Sequence, residues 1–363
     1  MNKKNIHKYT CLFSTKIVDA LQLIDENSSG TLFVVDNDFK LLGCITDGDI
    51  RRWILKNGSV HDEVCCAMSK NPDYVLTNQL FLSEEIINKK QINAVPVVNS
   101  NLVVEDVVVR KNLVSDYIKK TDKNLNGVPV VIMAGGKGTR LYPYTKILPK
   151  PLIPIGETPI VERIIECFNN YGIDRFYLTV NYKKSMIKSY FNDLNPNYSI
   201  DYVEEGEPLG TAGSIKLIPC KFDKPIFVIN CDVLIRTDYK DLYEFHKKSD
   251  YALTMVTALK NIQVPYGVVR SGFEGELLTI DEKPKLSYFI NTGMYVINPD
   301  LIELIPADKI FHMTDLVDVC LKKGYRIGTY PISEDSFLDM GEFSEMKRME
   351  EKLNIEENSR WLT

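Results

Sequence analysis

Apolar positions fall into two rhythms along the chain, and each predicts its own kind of element. Ile17, Ala20, Leu21 and Ile24 recur at helical spacing, and Asn27–Gly30 stops that helix. TLFVVD then predicts a strand, DNDFK a turn, LLGCIT a second strand, and DGDIRRWILKNG opens a second helix. Residues 78–111 repeat this order. Phe33–Asp36 aligns with Pro96–Asn99 at an offset of 63, and Arg51 with Arg110 at 59, which predicts a turn four residues shorter in the second copy. Neither copy alone can bury both faces of so small a sheet, so two half-modules packed on each other are expected.

A polar stretch, Tyr117 to Gly127, separates this repeat from the larger, C-terminal part of the chain. That part contains continuous apolar runs of strand length, VPVVIMA (128–134) and PIFVIN (225–230), the signature of buried parallel strands. None approaches the ~18 apolar residues of a membrane helix. The N-terminus MNKKNIHKYT carries lysines but no apolar run behind them, so no secretory leader is expected. These features point to a cytoplasmic protein.

The chain has 363 residues, 44% of them hydrophobic and 26% charged, which excludes a mostly disordered chain. Its net charge of −5 argues against a nucleic-acid partner held by bulk positive charge. Residues 1–126 are neutral, so the acidic excess lies wholly in the later part. The eight cysteines form no CxxC pair and no zinc-type spacing, and are expected to be reduced core thiols.

The candidate chemistry begins directly behind the first apolar run. Ala134 is followed by Gly135, Gly136 and Gly138, which let the backbone approach a ligand closely. Thr139, Arg140 and Lys150 add a donor and two cations, and Pro149 and Pro151 stiffen the chain around Lys150. Strand, glycine loop and cations together describe a phosphate site. It is not a P-loop, because Lys137 precedes Gly138 rather than Ser or Thr, and not a dinucleotide fingerprint, because no third glycine follows at the required spacing.

Residues 134–155 closely resemble the signature of the sugar-1-phosphate nucleotidyltransferases, and later segments follow that family's order over about residues 127–345. The resemblance implies an α/β, Rossmann-like mixed-sheet fold of the GT-A kind over 127–363. It implies transfer of a nucleotidyl group from a nucleoside triphosphate to a sugar 1-phosphate, dependent on Mg²⁺. In the loop EEGEPLGTAGSI it assigns the nucleotide to Glu205, Leu209, Gly210 and Thr211, alongside Ala134, Gly135, Gly136, Gly138 and Thr139. In VPYGVV, DEKP and INTGMYV it assigns the sugar phosphate to Gly267, Glu282, Lys283, Asn291 and Thr292. IFVINCDVL reads as an apolar strand ending in Asp232, and FLDMG carries Asp339; the resemblance makes these the metal carboxylates. Arg140, Lys150 and Asp232 form the catalytic set. Taken singly, Asp232 could equally cap a helix and Asp339 could be a turn residue. Glu205 stands where uridylyl and thymidylyl relatives carry Gln. A carboxylate can accept both N1–H and the amino group of guanine but is repelled by the carbonyls of uracil, so GTP is favoured over UTP, CTP or dTTP.

GCITDGDIRR and the duplication resemble a CBS domain pair over residues 1–122, with repeats at about 6–60 and 61–120. That resemblance implies an adenine nucleotide at Thr46 and Asp49, or a homo-oligomer, a dimer formed through the pair. Thr46 and Asp49 could instead simply cap the helix that follows. The matching positions of the second copy are Glu105 and Val108, which weakens a second nucleotide site. Beyond Gly341 only 22 residues remain, too few for the hexapeptide-repeat β-helix of longer relatives. The architecture resembles the glucosamine-1-phosphate guanylyltransferases of legionaminic acid biosynthesis, with mannose 1-phosphate the other candidate acceptor. A nucleotidyltransferase using another base, or a non-catalytic nucleotide-sugar sensor, are the alternatives; a sensor could have lost Arg140, Lys150, Asp232 and Asp339, and all four are present.

Overall fold

The computed structural model describes residues 6–109 and 125–341, apart from 28, 91 and 335, together with 345 and 349. Most of the Tyr117–Gly127 linker, Arg110 and the end of the second repeat lie outside the described residues. Two compact units result. The first comprises the described residues up to 109 with 259–289 and 332–334; the second takes those of 125–258, 290–331 and 336 onward. The sequence boundary at 127 thus leaves 259–289 on the other side of the division: Leu259 belongs to the core built on Ile17, Ala20, Leu32 and Ile45.

The first unit shows the repeat as two three-stranded sheets. In the first, Thr10–Leu12 pairs parallel with Thr31–Val35, which pairs antiparallel with Leu41–Thr46. In the second, Val75–Leu76, Ala94–Val98 and Val104–Val109 do the same. Helix Ile17–Asn27 places Ile17, Ala20, Leu21 and Ile24 in the core, as their spacing predicts. Phe33, Val35 and Leu41 of one repeat share a cluster with Ala94, Val98 and Val104 of the other, so each sheet covers a face of its partner.

The offset of 59 is corrected by the structure. Val35 pairs with Leu41 and Thr31 with Thr46; Val98 pairs with Val104 and Ala94 with Val109, so the offset stays at 63 through both strands. The turns are equal in length. Asp36 Oδ1 accepts from the N–H groups of Asp38 and Lys40, and Asn99 Oδ1 from those of Asn101 and Val103. The run VVEDVVV offers several equivalent valines, and only this side-chain-capped turn fixes which one pairs. The counterpart of Thr46 is therefore Val109, not Glu105, and that of Asp49 falls at residue 112, outside the described residues. The two turns also meet: Leu41 N–H donates to Leu102 O and Val104 N–H to Phe39 O, each at 2.9 Å, the reciprocal pattern of a local two-fold axis.

In the second unit a seven-stranded mixed sheet runs in the order Ser199–Glu204, Arg175–Val180, Val130–Met133, Ile226–Asn230, Lys285–Ile297, Leu253–Gln263, Ile327–Ile332. The first four are mutually parallel and the fifth is antiparallel to Ile226–Asn230. Alternation along the strands feeds two cores. Phe227 packs on Phe168 and Tyr239, at ring separations of 5.2 and 6.1 Å. Its neighbour Val228 points the other way, into a cluster with Tyr177, Tyr295, Ala212 and Leu316. Helices on both faces leave the carboxyl ends of the parallel strands as the open edge, where ligands sit in such sheets.

All eight cysteines are free. Cys11, Cys231 and Cys320 are buried, whereas Cys66 and Cys220 are exposed, so those two are not core thiols. Among the described residues no helix is long and apolar enough to cross a membrane.

Candidate active site

The strand Val130–Met133 delivers the glycine loop to the open edge. Ala134 is buried, its N–H donating to Thr179 O at 3.0 Å. Gly138 adopts φ +65°, and a Cβ there would lie 2.9 Å from the Thr145 methyl. The Thr145 hydroxyl closes the turn by donating to Gly138 O at 2.9 Å. The one-turn segment Thr139–Leu141 buries Leu141 and leaves Thr139 and Arg140 outward. Lys150 follows Pro149 into another short turn, is itself buried, and pairs with Asp232 Oδ2.

The two carboxylates expected to hold metal, Asp232 and Asp339, come from distant segments. The strand Ile226–Asn230 ends earlier than IFVINCDVL predicts: Cys231 and Asp232 form a turn, and a separate strand Val233–Ile235 follows. That strand pairs antiparallel with Phe337–Asp339, Val233 opposite Asp339. Met340 N–H donates to Asp232 O at 2.8 Å and locks the junction. The ladder therefore brings Asp339 beside Asp232. Burial, and next the charge of Asp232, push the Asp339 carboxyl above the usual range; the Gly341 N–H, Lys150 and Arg140 pull the other way and lose. Two adjacent carboxylates offer hard oxygen ligands of the kind suited to Mg²⁺, which is commonly bound through one or two carboxylates and completes its shell with water and phosphate oxygens.

Arg140, Asp232 and Asp339 line a cavity of about 340 Å³ together with Thr211, Asn230, Asn291, Thr292, His312 and Thr314, whereas Lys150, Glu205 and the glycines of the loop are outside its lining. Its charged members are Arg140, Asp232 and Asp339; the rest of the lining is neutral, mostly polar with Val233, Gly293 and Phe337 among it. Thr211 sits in Gly210–Gly213, a turn stitched to the next segment: Ala212 and Gly213 N–H both donate to Phe311 O at 3.0 Å, and Phe311 N–H returns to Leu209 O at 2.9 Å. Gly210 needs to be glycine, with φ +83° and Phe311 O only 2.7 Å from any Cβ.

Glu205 lies buried beneath the glycine loop. Its Oε2 accepts from Leu209 N–H at 3.2 Å, and its Oε1 is 2.6 Å from where a Cβ on Gly135 would stand. The carboxylate therefore shapes the Glu205–Leu209 loop as well as offering acceptors. Thr292 lines the cavity, and its hydroxyl donates to Val256 O at 2.8 Å and accepts from Met294 N–H, so its proton is committed to the backbone. Asn291 spends one amide hydrogen on Tyr295 Oη at 2.6 Å.

Other expected residues are not brought to this cavity. Gly267, Glu282 and Lys283 belong to the 259–289 segment of the first unit and are not in the lining. Gly267 and Glu282 are neighbours there, a Gly267 Cβ falling 3.0 Å from Glu282 Oε2. Thr46 and Asp49 satisfy each other: Asp49 N–H donates to Thr46 Oγ1, while Asp49 Oδ2 accepts from Thr46 N–H at 3.0 Å and from its hydroxyl at 2.7 Å. Arg52 takes Asp49 Oδ1 at 2.6 Å. This is a capping box on helix Asp47–Leu55.

Sequence reasoning missed Asn230, Tyr295, His312 and Thr314. Asn230 was within reach, since it ends a parallel strand at the edge where ligands bind. His312 caps helix Met313–Lys322, and its only sequence signal is an Asp three residues later.

The chain matches the Nucleotidyl transferase family over residues 129–355, more than half its length. It belongs to that family. Residues 1–56 match the CBS domain, which covers the first repeat. Among curated proteins, the nucleotidyl transferase domain is similar to a mannose-1-phosphate guanyltransferase of Pichia angusta, 39% identical over 207 residues, covering 54% of this chain and 57% of that one. A second, from Yarrowia lipolytica, is 36% identical over 183 residues, 48% and 50% of the two chains. A UTP–glucose-1-phosphate uridylyltransferase of Synechocystis is 34% identical over 202 residues, 50% and 52%. The chain spans about half the length of the curated relatives it matches. A crystal structure of HddC from Yersinia pseudotuberculosis, 30% identical, aligns over 62% of this chain and 99% of that one, with a TM-score of 0.49.

Proposed function

We propose that the protein is an Mg²⁺-dependent sugar-1-phosphate nucleotidyltransferase that transfers GMP from GTP. The observation that carries this reading is the juxtaposition of Asp232 and Asp339, with Lys150 on one carboxylate and Arg140 beside the other, at the end of a glycine loop. A phosphate oxygen of the sugar 1-phosphate attacks the α-phosphorus of the triphosphate, the bond to the β-phosphate bridging oxygen breaks, and pyrophosphate leaves. The nucleophile already carries charge, so no general base is required. The obstacle is bringing two anions together, and positioning with electrostatic stabilisation overcomes it.

The chain's own residues divide that work. The N–H groups of Gly135, Gly136 and Gly138 suit a phosphate approaching the backbone closely. Arg140 presents a planar fork of donors to the triphosphate. Lys150, held against Asp232, sets a fixed positive charge where the α-phosphate comes closest to the carboxylates. Asp232 and Asp339 would hold Mg²⁺, which when bound neutralises charge on both phosphates.

Guanine is favoured by Glu205, an acceptor-only group next to the loop, and by the similarity to mannose-1-phosphate guanyltransferases. The Synechocystis relative makes UTP the second reading. Glucosamine 1-phosphate or mannose 1-phosphate is the acceptor, for surface-glycan or nonulosonate synthesis. We assign Thr46 and Asp49 a capping role, since an adenine nucleotide there would have to displace Arg52 and the cap. The repeat pair joins two chains; light scattering reading a monomer would refute that part. The decisive assay is pyrophosphate release from a matrix of four nucleoside triphosphates and several sugar 1-phosphates with Mg²⁺. No release from any pair sinks the enzyme reading, and release with UTP but not GTP sinks the guanine assignment.

A further inference from the structure

His312 lines the cavity but has no part in the transfer chemistry proposed for Arg140, Lys150 and the two aspartates. Its ring is held from one side. Thr211 N–H points at Nδ1 at 3.4 Å, and the same side chain accepts from the backbone at the third helical position, Asp315. In return Asp315 Oδ2 accepts from His312 N–H at 2.7 Å, and Met313 N–H donates to Thr211 Oγ1 at 3.0 Å. The imidazole is thus clamped between the turn Gly210–Gly213 and helix Met313–Lys322. A neutral ring whose Nδ1 accepts must carry its proton on Nε2. The opposite edge of the ring is then a fixed donor.

The neighbours of that donor decide what it meets. The charged lining residues are Arg140 and the two carboxylates. The Thr211 backbone meets the His312 ring, and the cavity's other polar members, Thr314, Asn230, Asn291, Thr292 and Tyr295, are neutral. Neutral donors and acceptors suit hydroxyl groups rather than a phosphate. Thr292 has committed its only hydroxyl hydrogen to Val256 O and Asn291 one amide hydrogen to Tyr295 Oη, whereas no described residue accepts from His312 Nε2.

We infer that His312 is a specificity residue for the sugar half of the sugar 1-phosphate, its Nε2–H donating to a sugar hydroxyl. This inference rests on the proposed transfer reaction for the identity of the ligand. The anchoring through Thr211 ties recognition of the sugar to the loop that follows Glu205, so the two substrates meet on one rigid turn.

The test uses the full chain, calorimetric binding of mannose 1-phosphate and glucosamine 1-phosphate, and steady-state pyrophosphate release. His312→Asn keeps an acceptor near the Nδ1 position, so the cap and the melting temperature should hold, but it lacks the far donor. Loss of one such hydrogen bond should weaken sugar 1-phosphate binding about 5- to 10-fold. The KM for GTP and the binding of inorganic phosphate should not move. His312→Gln, whose amide reaches the Nε2 position, should recover part of the loss. Unchanged sugar 1-phosphate binding in His312→Asn overturns the inference, as does an equal loss for GTP, and so does a wild-type protein that binds neither sugar phosphate. If the wild type binds a sugar phosphate and the variant loses it, yet no pair releases pyrophosphate, the subsite stands and the transfer reaction falls. Release with an unaltered sugar KM in the variant removes His312 alone.

Discussion

Gly135 and Gly136 are adjacent in sequence and opposite in what surrounds them. A methyl group on Gly135 would stand 2.6 Å from Glu205 Oε1 and 3.0 Å from its carboxyl carbon, whereas one on Gly136 would meet nothing within 4 Å. Glu205 cannot simply swing away. Its N–H donates to Val180 O at 3.0 Å, its O accepts from Asn181 at 2.9 Å, and its Oε2 holds Leu209 N–H. Gly135→Ala is therefore an overpacking substitution, costing about 1–3 kcal/mol, or roughly 3–10 °C in melting temperature for a unit of this size. Removing the obstruction with Glu205→Ala should cancel most of that cost in the double variant. Gly136→Ala should melt with the wild type, yet raise the KM for the triphosphate about tenfold or more, because its side chain would occupy space reserved for a phosphate. Differential scanning calorimetry with steady-state kinetics on the three single variants and the double variant reads both quantities. Additive stability effects of Gly135→Ala and Glu205→Ala would refute the contact between loop and carboxylate. A Gly136→Ala enzyme with unchanged triphosphate KM would refute the placement of the phosphates.

If Asp232 holds the metal as proposed, Asp232→Asn should lower turnover at least ~100-fold, since it also weakens the hold on Lys150; near-normal pyrophosphate release would remove Asp232 from the site. Thr46→Ala removes the cap of helix Asp47–Leu55 and should destabilise the first unit by about 1 kcal/mol in denaturant unfolding, an effect that an unchanged midpoint would disprove. His246 is buried between Thr254 and Asn298, and burial lowers its pKa below the ordinary 6.5. The unfolded chain then binds a proton that the folded chain refuses, so stability present above pH 6.5 is lost as pH falls from there towards the folded value. Melting followed across that window should flatten in His246→Asn, and an identical slope would show that another group is responsible.

The glycine loop was legible because its residues are contiguous; Asp232 and Asp339 stood out only through the family resemblance, since their proximity depends on a ladder between segments far apart in the chain. Val130–Met133 and Ile226–Asn230 were equally plain, each being a buried run bounded by loop residues. The register of the second repeat was not, because Val104, Val107, Val108 and Val109 are interchangeable by hydrophobicity, and the bonds from Asn99 Oδ1 select among them. Nor was the grouping of 259–289 with the first unit legible, since the strands Leu253–Gln263 and Lys285–Ile297 run continuously across the division between units. His312 escaped for a different reason. Its placement depends on a bond to Thr211, 101 positions earlier, and no local pattern reports such a partner.

Asp232 and Asp339 are joined by a ladder of three residue pairs that closes only when Phe337–Asp339 has been made. All seven strands of the main sheet precede that segment in the chain. During synthesis the scaffold can therefore be complete while the site is still missing one carboxylate. Under the proposed reaction, chains that stop short of Asp339 would be inert towards the substrates although the sheet that carries the site is already made.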